Sequence, residues 1–196
     1  MFLYQKFIKK LLDTMLALLL FALFLPLLIV LFCIGSVVFH GHPLFVQKRI
    51  GLNNEPFLMF KFRSMHEIAP NVSNSSISVV QQYIPVYGKF IRRNSLDELP
   101  QLINIIKGEM SFVGPRPLTK VDEETLYYRS QLNMKNCRPG LTGLAQTNGR
   151  NLLTPEQKAQ LDVDYARDIS FTGDFVIWLR TIYVVLKREG INGKES

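Results

Sequence analysis

Asp97 and Glu98 stand side by side in Arg92-Arg93-Asn94-Ser95-Leu96-Asp97-Glu98. Adjacent carboxylates can attack an electrophile or hold a cation. The same residues fit a capping box, in which Ser95 caps a helix and Glu98 reaches back to its first amide. The company the pair keeps weighs toward chemistry. Arg92, Arg93, Arg116, Arg138 and Arg150 all fall at turns or element edges, and three of them adjoin Pro or Gly, where the backbone can fix a guanidinium for bidentate phosphate contact. Lys61 and Arg63, two apart on an expected strand, put two more cations on one face, for phosphate or for solvent. A carboxylate pair at a helix start among guanidiniums suits a phosphoryl group, because that terminus favours anions. Carboxylate attack on phosphorus divides one difficult transfer into two easier ones. Magnesium held by one carboxylate and the diphosphate oxygens would cancel the repulsion between them. The sequence contains no Walker loop, Rossmann glycine fingerprint, zinc cluster or Ser-His-Asp signature.

The elements that must hold these groups are few. A chain of 196 residues has room for one ordinary core, so we expect an apolar N-terminal segment, residues 1–42, and one catalytic domain, residues 43–196. A net charge of +7 calls for an anionic partner, and nucleic acid, anionic lipid and phosphorylated small molecules all qualify. Cys33 and Cys137 form neither a disulfide framework nor a metal cluster, as expected of a reducing, cytosol-facing compartment.

From Thr14 to Phe39 no charge occurs over roughly 26 residues, more than the about 20 needed to cross a bilayer. Lys6, Lys9 and Lys10 precede the run and Lys48 and Arg49 follow it, so the positive-inside bias draws both ends to the cytoplasm. Pro26 lies at its middle, removing a backbone donor and clashing with the preceding turn. A re-entrant helix-break-helix meets both observations; a proline-kinked spanning anchor is the alternative.

Beyond the membrane segment, LFVQKRI and FLMFKFRSM flank Gly51-Leu52-Asn53-Asn54 and predict a β-hairpin. Residues 68–78 predict an Asn- and Ser-rich surface loop with sequons at Asn71 and Asn74. Helical patterns run from Val86 to about Asn94 and from Leu96 to Lys107, the second with Leu96, Leu99, Leu102, Ile103 and Ile106 as its buried face. Further helices are predicted at Asp122 to Asn133, Pro155 to Arg167 and Phe175 to Lys187. The last carries Val176, Ile177, Leu179, Ile182, Tyr183 and Leu186 beside Trp178 and basic residues, suited to a membrane interface or to packing on the core. The fold class is α+β, mostly helical, with interfacial amphipathic helices.

The run from Arg93 to Leu102, RNSLDELPQL, and that from Lys107 to Pro117, KGEMSFVGPRP, closely resemble the monotopic phosphoglycosyl transferases, the bacterial sugar transferases. The run from Arg138 to Asn151, RPGLTGLAQTNGRN, is similar to the same family's second signature. The resemblance covers nearly the whole chain and is of the short, PglC-like type. It implies a re-entrant membrane helix broken at Pro26 and a catalytic domain on the cytoplasmic face of the bacterial inner membrane. It implies too a two-step reaction in which Asp97 attacks the β-phosphate of a UDP-sugar, releases UMP, and passes the phosphosugar to polyprenol (undecaprenyl) phosphate. By the same matching Glu98 assists as metal partner or base, and Asp97 also meets the magnesium. Arg116 and Arg138 hold phosphates, while Lys61 and Arg63 match a Lys-Phe-Arg strand motif that lends charge to the site; Arg92 and Arg150 complete the expected phosphate-binding set. Two departures stand out: Leu25 precedes Pro26 where relatives commonly have serine, and Glu109 replaces a common aspartate. The expected partners are UDP-sugar, polyprenol phosphate and membrane lipid, and not nucleic acid. A rival class is a membrane-anchored protein that holds anionic lipid or polysaccharide without catalysis. Donor sugar, glycan pathway and oligomeric state are not legible in the sequence.

Overall fold

Leucine, isoleucine and valine crowd the N-terminal run, and in the computed structural model of the chain they form one helix, α1 (Lys9–Val38), with a short π-helical lead-in over Tyr4–Ile8. The structure describes residues 4–66, 81–134, 136–149 and 152–187. The predicted loop at 68–78, its two sequons, and Arg150 therefore lie outside the described residues. Pro26 stands inside α1 and does not end it, so the two arms expected on either side are a single element. Losing the Pro26 amide deprives the Ala22 carbonyl of its i+4 donor, while the leucines around it keep helical dihedrals. Leu11, Met15, Leu19, Leu23, Ile29 and Val37 are all exposed on α1. The helix is long and apolar enough to cross a membrane.

The described chain falls into two compact units, each sharing part of α1 and part of the hairpin formed by β1 (Leu44–Ile50) and β2 (Pro56–Phe62). The first strand has the predicted bounds, but the second ends at Phe62 rather than Met65, so Lys61 lies on it and Arg63 does not. The hairpin turn places Asn53 and Asn54 at positive φ, a region that Asn adopts more readily than most residues.

One unit comprises residues 18–47 and 58–104. Its core joins Leu28 and Leu31 of α1 to Phe62 of β2 and to Ile91 of α2 (Val86–Arg93). Tyr87 seals the contact by donating its hydroxyl to the Leu31 carbonyl at 2.9 Å. Gly88 lets α2 approach the chain just beyond β2, since a Cβ there would overlap the Ser64 carbonyl. After α2 the predicted single helix from Leu96 to Lys107 is two pieces, a 3-10 turn at Leu96–Glu98 and α3 (Gln101–Ile106). Pro100 separates them. Leu102 and Ile105 are the buried apolar residues of α3, whereas Ile103 is exposed, so the apolar face is rotated from the expected one. The unexpected core member is Asn104, fully buried, which accepts from the Phe60 amide at 3.1 Å and donates to the Leu58 carbonyl at 2.6 Å. Its amide pairs with β2 as another strand would.

The other unit comprises residues 1–17, 48–57 and 105–196. At its centre lie two three-residue strands that the sequence did not disclose, β3 (Ser111–Val113) and β4 (Gly140–Thr142), paired in parallel with Ser111 opposite Gly140 and Val113 opposite Thr142. The two signature segments thus meet at their backbones. Only glycine fits at Gly140, where a Cβ would strike the Gly114 amide. Around the pair stand α4 (Glu123–Gln131), the one-turn α5 (Leu144–Thr147), α6 (Pro155–Arg167) and α7 (Phe171–Lys187). Helix α6 has the predicted bounds because Thr154 and Gln157 form a reciprocal capping box ahead of Pro155. Helix α7 starts a turn earlier than predicted, where the Ser170 hydroxyl accepts from the Gly173 amide at 3.2 Å. Ile177 packs inward, but Val176, Leu179, Ile182 and Tyr183 face outward with Trp178. Among the stripe's described side chains only Ile177 is buried in this fold, and Leu186 lies outside them.

Candidate active site

Helix α2 ends at Arg93, and both the amide and the side chain of Asn94 close on the Phe90 carbonyl. Ser95 then turns the chain at φ 55°, the left-handed region, and makes no side-chain cap. This overturns the capping-box reading of Ser95 and Glu98. Glu98 Oε1 instead lies 2.7 Å from Lys61 Nζ on β2. Asn104, by fixing Leu58 and Phe60, also fixes the strand from which Lys61 extends. The carboxylates occupy a three-residue 3-10 turn, not the first turn of a long helix as expected.

Asp97 is half-buried and takes part in no ion pair among the described residues. Burial pushes its pKa up to about 6, and the neighbouring Glu98 charge adds to the rise, while Lys61, Arg92 and a backbone hydrogen bond oppose it. Burial, with a smaller push from the Asp97 charge, also raises Tyr87 to about 12. Asp97 is therefore a carboxylate poised close to neutrality, with cations near it but none spent on it. Such a perturbed group is a frequent mark of a functional site. Arg92 is exposed at the end of α2, its NH1 2.8 Å from Met65 Sδ, and Arg63 NH2 lies 3.4 Å from the Leu44 carbonyl. Lys61, Arg92, Asp97 and Glu98 are thus brought together electrostatically, and Arg63 shares their unit.

Arg116 and Arg138 belong to the unit built on β3 and β4. Arg138 Nε donates to the Gly108 carbonyl at 2.9 Å. The residue lines a cavity of about 400 Å³ with Lys9, Asn53, Ser111, Cys137 and Tyr165. Beside that cavity Asp174 receives hydrogen bonds from Tyr4 at 2.8 Å, Lys9 at 2.6 Å and Tyr165 at 2.7 Å. Ser111 donates to Asp13 at 2.6 Å. Lys9, one of the three cations before the membrane run, is buried and ion-paired. No pattern in the sequence singles out Lys9, Asp174 or Asn104, because the Lys9–Asp174 pair joins residues 165 apart and Asn104 meets Phe60 and Leu58 across 44 and 46 residues.

Comparison with known proteins bears on this arrangement. A family model described as bacterial sugar transferase matches residues 4–188. The chain is 41% identical over 186 residues to an uncharacterized sugar transferase, EpsL, of Bacillus subtilis, covering 94% of this chain and 90% of that protein. It is 37% identical over 185 residues to the UDP-glucose:undecaprenyl-phosphate glucose-1-phosphate transferase of Caulobacter vibrioides, covering 89% of this chain and 68% of that one. Identity to the UDP-galactose-lipid carrier transferase of Erwinia amylovora is 35% over 202 residues, 95% of this chain but only 42% of that longer protein. The chain belongs to the bacterial sugar transferase family, an enzyme family, as the signature segments indicated.

Proposed function

We propose that this enzyme transfers a sugar 1-phosphate from a UDP-sugar to polyprenol (undecaprenyl) phosphate, with Asp97 as nucleophile. The observation that carries the reading is Asp97 itself, a half-buried carboxylate near neutrality that is left out of the adjacent Lys61–Glu98 ion pair. Ionised, one Asp97 oxygen attacks the β-phosphorus of the donor. The bond from that phosphorus to the bridging oxygen breaks, and UMP leaves with the electron pair. An oxygen of polyprenol phosphate then attacks the same phosphorus, and the bond to Asp97 breaks to restore the carboxylate. Lys61 keeps Glu98 from adding its full charge to the site, and Arg92 supplies positive potential; Arg63, Arg116, Arg138 and Arg150 complete the proposed phosphate contacts.

The donor set suits magnesium. Asp97 and Glu98 offer hard carboxylate oxygens, and no group of three or more His, Cys, Asp or Glu fit for a metal occurs among the described residues. Magnesium is commonly held by one or two carboxylates, with water and substrate phosphate completing its shell. Asp97, with Glu98 beside it, would hold it, and when bound it would neutralise charge between carboxylate and diphosphate.

The same reading places α1 in the cytoplasmic membrane as a re-entrant element, with the catalytic residues on the cytoplasmic face. Support comes from packing: Leu28 and Leu31, in the middle of the apolar run, pack on Phe62 and Ile91, one residue from Lys61 and Arg92. A spanning helix would draw those charges toward hydrocarbon at a cost of several kcal/mol, about 2.5 or more each. The outward apolar face of α7 is suited to the lipid interface. The test is UMP release from UDP-sugar with polyprenol phosphate and magnesium. Asp97→Asn is expected to lower it about a thousandfold or more, as loss of a nucleophile does; release at the wild-type rate by that variant refutes the assignment.

A further inference from the structure

Between Ser111 and Leu118 every residue is buried except Arg116. The backbone of this Gly-Pro-Arg-Pro turn is tied down almost carbonyl by carbonyl. Val113 O accepts from Tyr165 at 2.9 Å, Pro115 O from the Gly140 amide at 2.9 Å, Pro117 O from Arg49 at 3.1 Å and Leu118 O from the Ile50 amide at 2.8 Å. The carbonyl of Arg116 itself accepts from Arg129 NH2 at 3.0 Å. Arg129 on α4 is in turn held by Asp162 on α6, whose Oδ2 receives Nε at 3.0 Å and NH2 as well. Asp162 is 2% exposed, and its Oδ1 has no hydrogen-bond partner among the described residues. The side chain of Arg116 has none either, although its charge reaches Asp162.

So much fixing is more than a surface arginine needs. Prolines set φ on both sides of Arg116, and a two-residue relay clamps its carbonyl, so the base of the side chain has little freedom to reorient. We propose that Arg129 and Asp162 are positioning residues for Arg116: buried Asp162 orients Arg129, and Arg129 sets the direction from which the Arg116 guanidinium meets a phosphate of the nucleotide-sugar donor. The inference rests on the reading of Arg116 as a phosphate-binding residue. A guanidinium is required at 129 because one planar fork must serve a carboxylate and a carbonyl at once, and an ammonium at the shorter reach of lysine can keep the ion pair but not both.

The experiment is a double-mutant cycle on the full chain in detergent, reading KM for the UDP-sugar, kcat and melting temperature. Arg116→Ala is expected to raise KM about tenfold, the scale of one lost charge-assisted contact. Arg129→Lys is expected to raise KM similarly at nearly unchanged melting temperature, and the double variant to be no worse than Arg116→Ala alone. Effects that multiply to about a hundredfold, or a wild-type KM in Arg129→Lys, overturn the positioning role while leaving Arg116 as a phosphate ligand. A wild-type KM in Arg116→Ala removes the phosphate assignment and the inference with it, whereas Asp97-dependent UMP release would still stand. Should Arg129→Lys fail to fold, Asp162→Asn, which keeps an oxygen for Arg129 and removes the charge, takes its place in the cycle with the same expected non-additivity.

Discussion

Asp97 and Asp174 are both carboxylates drawn away from water, one in each unit, and their surroundings are opposite. Asp174 is 7% exposed and takes three hydrogen bonds, from Tyr4, Lys9 and Tyr165. Asp97 is half-buried, stands next to another carboxylate, and leaves the nearest ammonium to Glu98. A charge whose lone pairs are filled by its own protein has nothing left to offer a substrate. A charge kept short of partners retains its reactivity, and the fold bears the cost of keeping it so.

Reversing each charge's circumstances should therefore move stability in opposite directions. Asp174→Ala takes from the buried Lys9 ammonium its 2.6 Å partner and leaves it only Asp13, at 3.8 Å, and is expected to cost about 3 kcal/mol in thermal or chemical unfolding, with activity lost alongside the fold. Asp97→Asn should do the reverse. The raised pKa of Asp97 contributes stability below the unfolded value of 3.8, and that contribution is lost as pH rises through about 6. At pH 7 the native state bears the cost of an ionised group that asparagine does not carry. Melting at pH 7 should rise by roughly 2–4 °C in Asp97→Asn, and the gain should shrink toward pH 4. A fall in melting temperature at pH 7 would break the contrast between the two aspartates.

Catalysis should report the same group with a smaller effect. If ionised Asp97 attacks, kcat/KM rises as pH increases through about 6 and levels above it. Lys61 favours the ionised form, so Lys61→Met should carry the midpoint to higher pH. An unmoved midpoint in a rate series on that variant would assign the titration to another group.

The two aspartates also differ in how visible they are in the sequence. Asp97 was legible because its neighbours are local: the arginines before it, the carboxylate after it, the proline beyond. The hairpin and α6 were legible for similar reasons, having a Gly-Asn turn in one case and Pro155 at a helix start in the other. Asp174, Lys9 and Asn104 were not, since each acquires its meaning from a partner far along the chain. Strands β3 and β4 are three residues each, too short for alternation to register, and exist because Gly114 and Gly140 allow two backbones to touch. Ser95 misled in another way. Its spacing to Glu98 fits a cap, but a left-handed dihedral at Ser95 and the reach of Lys61 turned Glu98 to a different partner. Local pattern drew notice to the carboxylate pair; distant pairing engages Glu98 with Lys61 and leaves Asp97 outside that ion pair.

The most direct test is to give the enzyme UDP-sugar and magnesium without polyprenol phosphate and weigh the intact protein. One phosphosugar adduct is expected, mapped to the peptide containing Asp97, absent from Asp97→Asn and discharged when polyprenol phosphate is added. UMP formed only in the presence of the acceptor, with no adduct at any stage, would contradict the role of Asp97 as nucleophile.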